Sequence, residues 1–432
     1  MNKLSLLILI LLLANNCSAN KTKTFFSKEK SNIDEVQNVK IILTKQTSEE
    51  REFNPTLKVK VSDGKLSKNL DKNQNNSGEL FYDGSLEKIG KYKFSKFNNF
   101  EYIDTQPVFY KEHIIFSDNK GTIILYNQNQ KIIWKKNYYS KNEKKLKPRL
   151  NFATYKNILI VADNLAKYYA VNIDTGDIIW SKNNTVPFNS EIKIKNNSFY
   201  VVDYKNTLKS ISINDGKAIW SFKTEESLTK SNTKISIAIK NENIYFINSI
   251  GDITSVNLES GKLVWQLPTQ NSNISKNAFQ LSNSKLVINE DSILLSNNKN
   301  EFYSIDIITG LINWKNEINS DLQPVAIGEF IITVSKKGYL YVIGNKTGNI
   351  IRINSLYKDY KIKKRKDLLA TGFIVAKNKI YLSNNDGRLI IADLVNGNII
   401  NTIKIAGTKI LQPYVHNNNL FLIRNGSIIK FN

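Results

Sequence analysis

The chain has 432 residues, 41% of them hydrophobic and 10% aromatic, enough for a sizeable core and against wholesale disorder. A single cysteine, Cys17, rules out an internal disulfide framework and a cysteine-based metal cluster, and two histidines, His113 and His416, argue against a His-rich metal site. The 61 Lys+Arg against 38 Asp+Glu leave +23, which fits an acidic partner such as anionic lipid or nucleic acid, and more simply a Lys-, Asn- and Ile-rich chain from an AT-rich genome.

Lys3 precedes an apolar run from Leu4 to Ala14, the positive start and hydrophobic centre of an export signal, too short to span a bilayer comfortably. Cys17 follows this run where a bacterial lipoprotein signal places its lipidated residue. The stretch Leu13-Ala14-Asn15-Asn16-Cys17 resembles that signal, with Ala14 and Asn16 at places normally held by Leu and a small residue. Ordinary cleavage after Ala19 is the alternative, because Cys17 and Ala19 also satisfy its small-residue rule. Residues 1–19 are therefore expected to be an export signal with Cys17 as the candidate lipid carrier. Residues 20–85 are rich in Lys, Asn, Ser, Glu and Asp, with one short strand-like patch at Leu57 to Val61, and are expected to form a flexible tether.

Everything from residue 86 onward repeats. Asp174-Thr175-Gly176 leads to Trp180, Asp215-Gly216 to Trp220, Ser260-Gly261 to Trp265, and Thr309-Gly310 to Trp314. An earlier copy ends at Trp134 with Gln130 in place of glycine. Two later ones keep the frame without tryptophan, Gly348 leading to Arg352 and Gly397 to Asn401. Successive copies are 38 to 49 residues apart, a spacing that means repeat architecture. Each copy divides into short β-branched runs between Asn, Asp and Gly turns, as in Val108 to Tyr110, His113 to Phe116, Thr122 to Tyr126 and Ile132 to Trp134. Four strands per repeat of roughly 40–45 residues is the pattern of a propeller blade. The chain stops one strand short of an eighth blade, and Gly90 to Phe94 near the start has the glycine-to-aromatic offset of a fourth strand, with Phe94 where Trp stands elsewhere. The expected fold is all-β, an eight-bladed propeller over 86–432 whose last blade is closed by the N-terminal strand, leaving no unpaired seam.

The pattern Ala-x-Asn/Asp-x-x-Thr/Ser-Gly-x-x-x-Trp is similar to the repeat of the pyrroloquinoline-quinone-type propellers. The resemblance implies that Trp134, Trp180, Trp220, Trp265 and Trp314 pack between blades and do not form a cofactor box. Within that superfamily the chain resembles the outer-membrane protein assembly lipoproteins of the BamB family, with a longer polar spacer than is usual there. The quinoprotein dehydrogenase branch implies a calcium and adjacent cysteines under a quinone. The cysteine pair is missing, and Asp174, Asp306 and Asp393 occupy repeat turns while His113 and His416 lie in or beside strand runs. No catalytic residue, cofactor or metal is therefore assigned, and a periplasmic quinoprotein or a general periplasmic interaction propeller stays as the alternative.

A scaffold acts through its loops. Two basic clusters fall on inter-blade connections and so share one face: Lys144, Lys145, Lys147 and Arg149, and Lys361, Lys363, Lys364, Arg365 and Lys366. They suit solvent, an acidic protein surface or anionic headgroups better than nucleic acid, because no aromatics are interleaved. The BamB resemblance implies a monomeric propeller within a complex, held to the outer membrane by an N-terminal lipid. It also implies contact with the BamA subunit through the connection after blade three, where Leu228 and Lys230 are the matching positions. An exposed edge strand is a further possible attachment point.

Overall fold

Short apolar runs joined by tight polar turns pair with their neighbours in sequence, and this local rule builds the whole molecule. The computed structural model describes residues 50–60, 76, 81–103, 105–226, 233–269 and 281–432. Cys17, Leu228 and Lys230 lie outside them. Eight four-stranded antiparallel sheets form a ring, the eight-bladed propeller. Blades one to seven cover residues 108–136, 150–183, 193–223, 237–267, 287–316, 325–355 and 370–404. Blade eight combines three strands from 414–431 with the outer strand Lys88–Lys93, so the N-terminal strand closes the ring.

The second strand of each blade is covered on both faces along most of its length, which is why it reads as an apolar run. The buried side chains sort into layers between adjacent blades. Ile115 and Leu125 of blade one meet Leu159 and Val161 of blade two, and Phe116 and Ile124 meet Ile423 and Ile428 across the closing interface. Every outer strand carries a β-bulge, placed in blade two between Ala170 and Val171 opposite Trp180 and Ile178. The bulge twists an edge that presents exposed pairs such as Ile178 and Ile179, and so blunts it against further pairing.

The repeat motif is an inter-blade lock. Asn172 accepts the Asp174 and Thr175 N–H groups, and Gly176 closes the turn at φ +72° with its N–H on the Asn172 carbonyl. That glycine lies against Trp134 of the preceding blade, whose indole N–H donates to Ile173 O at 2.7 Å. Trp180 to Ile213, Trp220 to Leu258, Trp265 to Ile307 and Trp314 to Asn345 repeat the bond at 2.8–3.2 Å, against Gly216, Gly261, Gly310 and Gly348.

Two expectations need correction. Phe94 does not occupy the tryptophan's place in blade eight. The pairing of Lys430 with Gly90 puts Gly90 there, facing Gln130 of blade one, so large and small residues are exchanged at the closing interface. Phe94 lies four residues farther on, against Phe97 and Phe116. Strand register, which the glycine-to-aromatic offset does not determine, decides this.

The tether is also not free throughout. Residues 50–60 run antiparallel along the outer strand of blade six. Phe53 and Ile353 exchange both backbone hydrogen bonds, at 3.1 and 2.8 Å, and Val59 is buried among blade-six and blade-seven side chains. Tyr82 is fully buried and donates to the Asn432 carbonyl, so the closing blade is secured before its first strand begins. The attachment of residues 50–60 follows from Arg352, which replaces the tryptophan of blade six. Its guanidinium donates to Leu394 O, the carbonyl an indole would use, and also to Val395 O and Leu57 O.

Candidate functional site

Propellers present two kinds of site, the axial channel lined by inner strands and the loops on each face. Glu191-Ile192 lead into the inner strand of blade three at Lys193, and alternation sends Ile192 into the blade interface and its two charged neighbours toward the axis. Cavities of about 760 and 740 Å³ open at the two ends of the channel and share a layer that includes Gln106, Glu191, Lys234, Lys285 and Gln323.

Glu191 is the centre of that layer. One carboxylate oxygen lies 3.7 Å from Lys193 Nζ and 3.4 Å from Lys285 Nζ, and the other accepts from Ser236 Oγ and Ile237 N, both at 3.1 Å. Burial alone would raise its pKa, but the Lys193, Lys285 and Lys234 ammonium groups and the Ile237 N–H outweigh this and hold it down to about 2. Asn76, from the segment preceding the propeller, is buried in the same layer. Its amide donates to Ile237 O and Leu286 O at 2.9 Å, while Lys193 Nζ donates to its side-chain oxygen at 2.5 Å and Gln323 to its carbonyl at 2.8 Å.

This layer does not fit a calcium–quinone cradle. Calcium takes six to eight oxygens, with carboxylates prominent among them. Here one carboxylate is already compensated by ammonium groups that repel a divalent cation, and the Asn76 carboxamide is bonded into the same layer. Among the described residues no group of three or more Asp, Glu, His or Cys is placed to hold a metal. Of the remaining candidates, Asp306 and Asp393 accept turn N–H groups and His416 stacks on Phe109 and bonds Lys111 O at 2.8 Å, whereas His113 Nδ1 is buried without a hydrogen-bond partner.

On the loop face, each basic cluster includes a single helical turn. Helix α1, Lys141–Lys145, is set by a reciprocal capping box in which Ser140 and Glu143 bond each other's backbone N–H, leaving Lys145, Lys147 and Arg149 exposed. Helix α2, Ile362–Arg365, is tied down by Lys364, which pairs with Asp386 at 3.1 Å, and by Arg365, which donates to Tyr360 O. Lys361, Lys363 and Lys366 remain exposed around it. The structure thus brings each cluster to the same face but on different blade junctions, one–two and six–seven. Sequence reasoning missed the docked segment 50–60 and the Glu191 layer. The alternating Glu191-Ile192-Lys193-Ile194 run was a legible signal for the second.

The comparisons agree with this architecture. A family model described as outer membrane protein assembly factor BamB matches residues 119–354. No curated protein matches the sequence. Among solved structures, BamB from Moraxella catarrhalis is similar at TM-score 0.65 and 16% identity, covering 80% of this chain and 99% of that one. The computationally designed Ika8 protein follows at 0.62 and 13%, covering 81% and 99%. The quinohemoprotein alcohol dehydrogenase of Comamonas testosteroni is similar at 0.57 and 11%, covering 83% and 78%. At these identities the structural likenesses speak for the fold alone, and it is the family match across more than half of the sequence, with its Gly–Trp locks in register, that makes this chain a member of the BamB family of outer membrane protein assembly factors.

Proposed function

We propose that the protein is a non-catalytic, periplasm-facing scaffold of outer-membrane β-barrel assembly. The observation that carries this reading is the family match over residues 119–354, a span whose eight-bladed setting offers loops for docking. The scaffold binds a BamA-like subunit through the connection after blade three, with Leu228 and Lys230 as contact residues, and is held at the outer membrane by a lipid on Cys17. Among the described residues no helix is long and apolar enough to cross a membrane.

Mild-detergent capture of the tagged native protein from its own envelope tests the proposal. Recovery of a BamA-like subunit, reduced by Leu228→Glu or Lys230→Glu, supports it. Capture of a cytochrome, or a quinone absorbance with calcium-dependent dye reduction, would replace it with the quinoprotein reading, which rests on likeness to the alcohol dehydrogenase fold.

A further inference from the structure

Four consecutive blade junctions on the loop face form an arc in which apolar tips stand among cations. At junction six–seven Ile362 is 73% exposed within the Lys361–Lys366 cluster, and at junction one–two Leu146 is 64% exposed between Lys145 and Lys147. Between them, at the closing junction, Tyr102 is 77% exposed. Lys409 of junction seven–eight donates to Glu101 O beside it, which makes the arc continuous.

A Leu, Ile or Tyr side chain held out in water at the tip of a rigid turn forfeits its burial free energy. Three of them on one face, each at a blade junction and two flanked by lysines, match the composition of surfaces that sit at a bilayer interface, where apolar tips enter the headgroup boundary and cations meet anionic lipid. On the opposite face the comparable exposed pair, Ile308 and Leu311, belongs to one turn and stands beside Asp306, outside any lysine cluster. A second, independent observation concerns the direction of the chain. Glu50, hydrogen-bonded to Tyr341, and Glu52, which accepts the Ser355 N–H, lie where the outer strand of blade six leads into α2. Residues 53–59 then run away from that face toward Val395 in a turn on the other side. Residues 50–52 therefore lie on the basic face.

We propose that this arc is a docking surface for an anionic lipid bilayer, with Tyr102, Leu146 and Ile362 as inserting tips and Lys145, Lys363 and Lys366 as headgroup contacts. The arc spans junctions six–seven to one–two and does not include the connection after blade three, and its test uses vesicles without any BamA-like subunit, so either proposal can fail without the other.

The test is flotation of the full-length protein on phosphatidylcholine vesicles with and without about 30% phosphatidylglycerol, read as the difference between the two so that the N-terminal apolar run cancels. Wild type is expected to prefer the anionic vesicles, and the preference to fall in about 1 M salt. Each cation near the surface contributes about a fivefold factor, so Lys145→Glu/Lys363→Glu/Lys366→Glu is expected to lose the preference by about 100-fold or more. Tyr102→Ser/Leu146→Ser/Ile362→Ser should lower binding to anionic vesicles at least about tenfold while keeping its salt dependence. The matched reversal on the opposite face, Lys131→Glu/Lys262→Glu/Lys346→Glu, changes net charge equally and should bind more tightly than the first triple variant. Circular dichroism melts verify that all three variants fold. The proposal is overturned if wild type shows no anionic preference, if the tip variant binds as wild type does, or if the opposite-face reversal loses as much as the loop-face one.

Discussion

Arg352 Nη2 donates to the Leu394 carbonyl at 2.6 Å, the same inter-blade bond that the Trp314 indole makes to Asn345 at 3.0 Å one blade earlier. An arginine thus replaces an indole without breaking the lock. Its two surplus donations, to Leu57 O and Val395 O, recruit residues 50–60 to the rim, where Val59 joins the buried layer between blades six and seven.

Arg352→Ala leaves these carbonyls without their donor and opens a void in a buried layer. The expected loss is about 3–5 kcal/mol, with faster amide exchange at Phe53, Val59 and Ile353. Arg352→Trp restores the bond to Leu394 but not the one to Leu57, so it should free residues 50–60 to proteolysis while costing the propeller less. Hydrogen exchange and limited proteolysis separate the two effects, and equal protection of residues 50–60 in all three proteins would refute the role given to Arg352.

Gly310→Ala should be far worse than Gly407→Ala. A Cβ on Gly310 would lie 2.6 Å from the Trp265 ring in a backbone held at φ +73°, whereas Gly407 has nothing within 4 Å. Strain and overpacking together cost about 2–4 kcal/mol at the first site, against a change within about 0.5 kcal/mol at the second. Urea denaturation midpoints give both values.

Asp163 is fully buried, with Tyr139 Oη donating to one carboxylate oxygen at 2.5 Å and the Leu165 and Lys167 N–H groups donating to the other. Tyr139→Phe removes one donor and leaves that oxygen without it, so a loss of about 1–3 kcal/mol is expected from thermal melts. Tyr169→Phe, at the far end of a weaker 3.3 Å hydroxyl contact, should cost less.

Glu191 gives the protein an acid limb. Its folded-state pKa, about 2, lies below its unfolded value of about 4.5, so its contribution is complete above the unfolded value and is lost as pH falls toward the folded one. The shift corresponds to an upper bound of about 3 kcal/mol. Stability measured in urea should decline between about pH 5 and pH 2. Glu191→Gln should flatten that decline and lower stability at neutral pH, where Lys193 and Lys285 lose their counter-charge. A parallel acid limb in the variant would assign the decline to other carboxylates.

The fold was legible because it is built from local rules. Asn172-Ile173-Asp174-Thr175-Gly176 encodes its own turn through a short acceptor side chain and a residue free to take positive φ, and each turn joins strands adjacent in sequence. The recurring glycine-to-tryptophan spacing therefore determined the blades, their number and the closing role of the strand near Gly90. The same periodicity placed both basic clusters on one face, since any connection from an outer to the next inner strand must emerge there.

What the periodicity could not decide were contacts between residues far apart in the chain. The glycine-to-aromatic offset pointed to Phe94, but pairing between Lys88–Lys93 and the last strand put Gly90 opposite Gln130 instead, because hydrogen-bond register is a property of two strands together. Residues 50–60 read as polar tether because their composition supplies little apolar area. They are ordered by Arg352 and Asn354, about 300 positions away, whose donors satisfy their carbonyls. Glu191 and its lysines likewise become one site only when the ring closes and carries blades three and five to a common axis. Local turn chemistry and alternation thus fixed the architecture from sequence, while its points of attachment depended on long-range pairing of buried polar groups, which only the tertiary structure brings together.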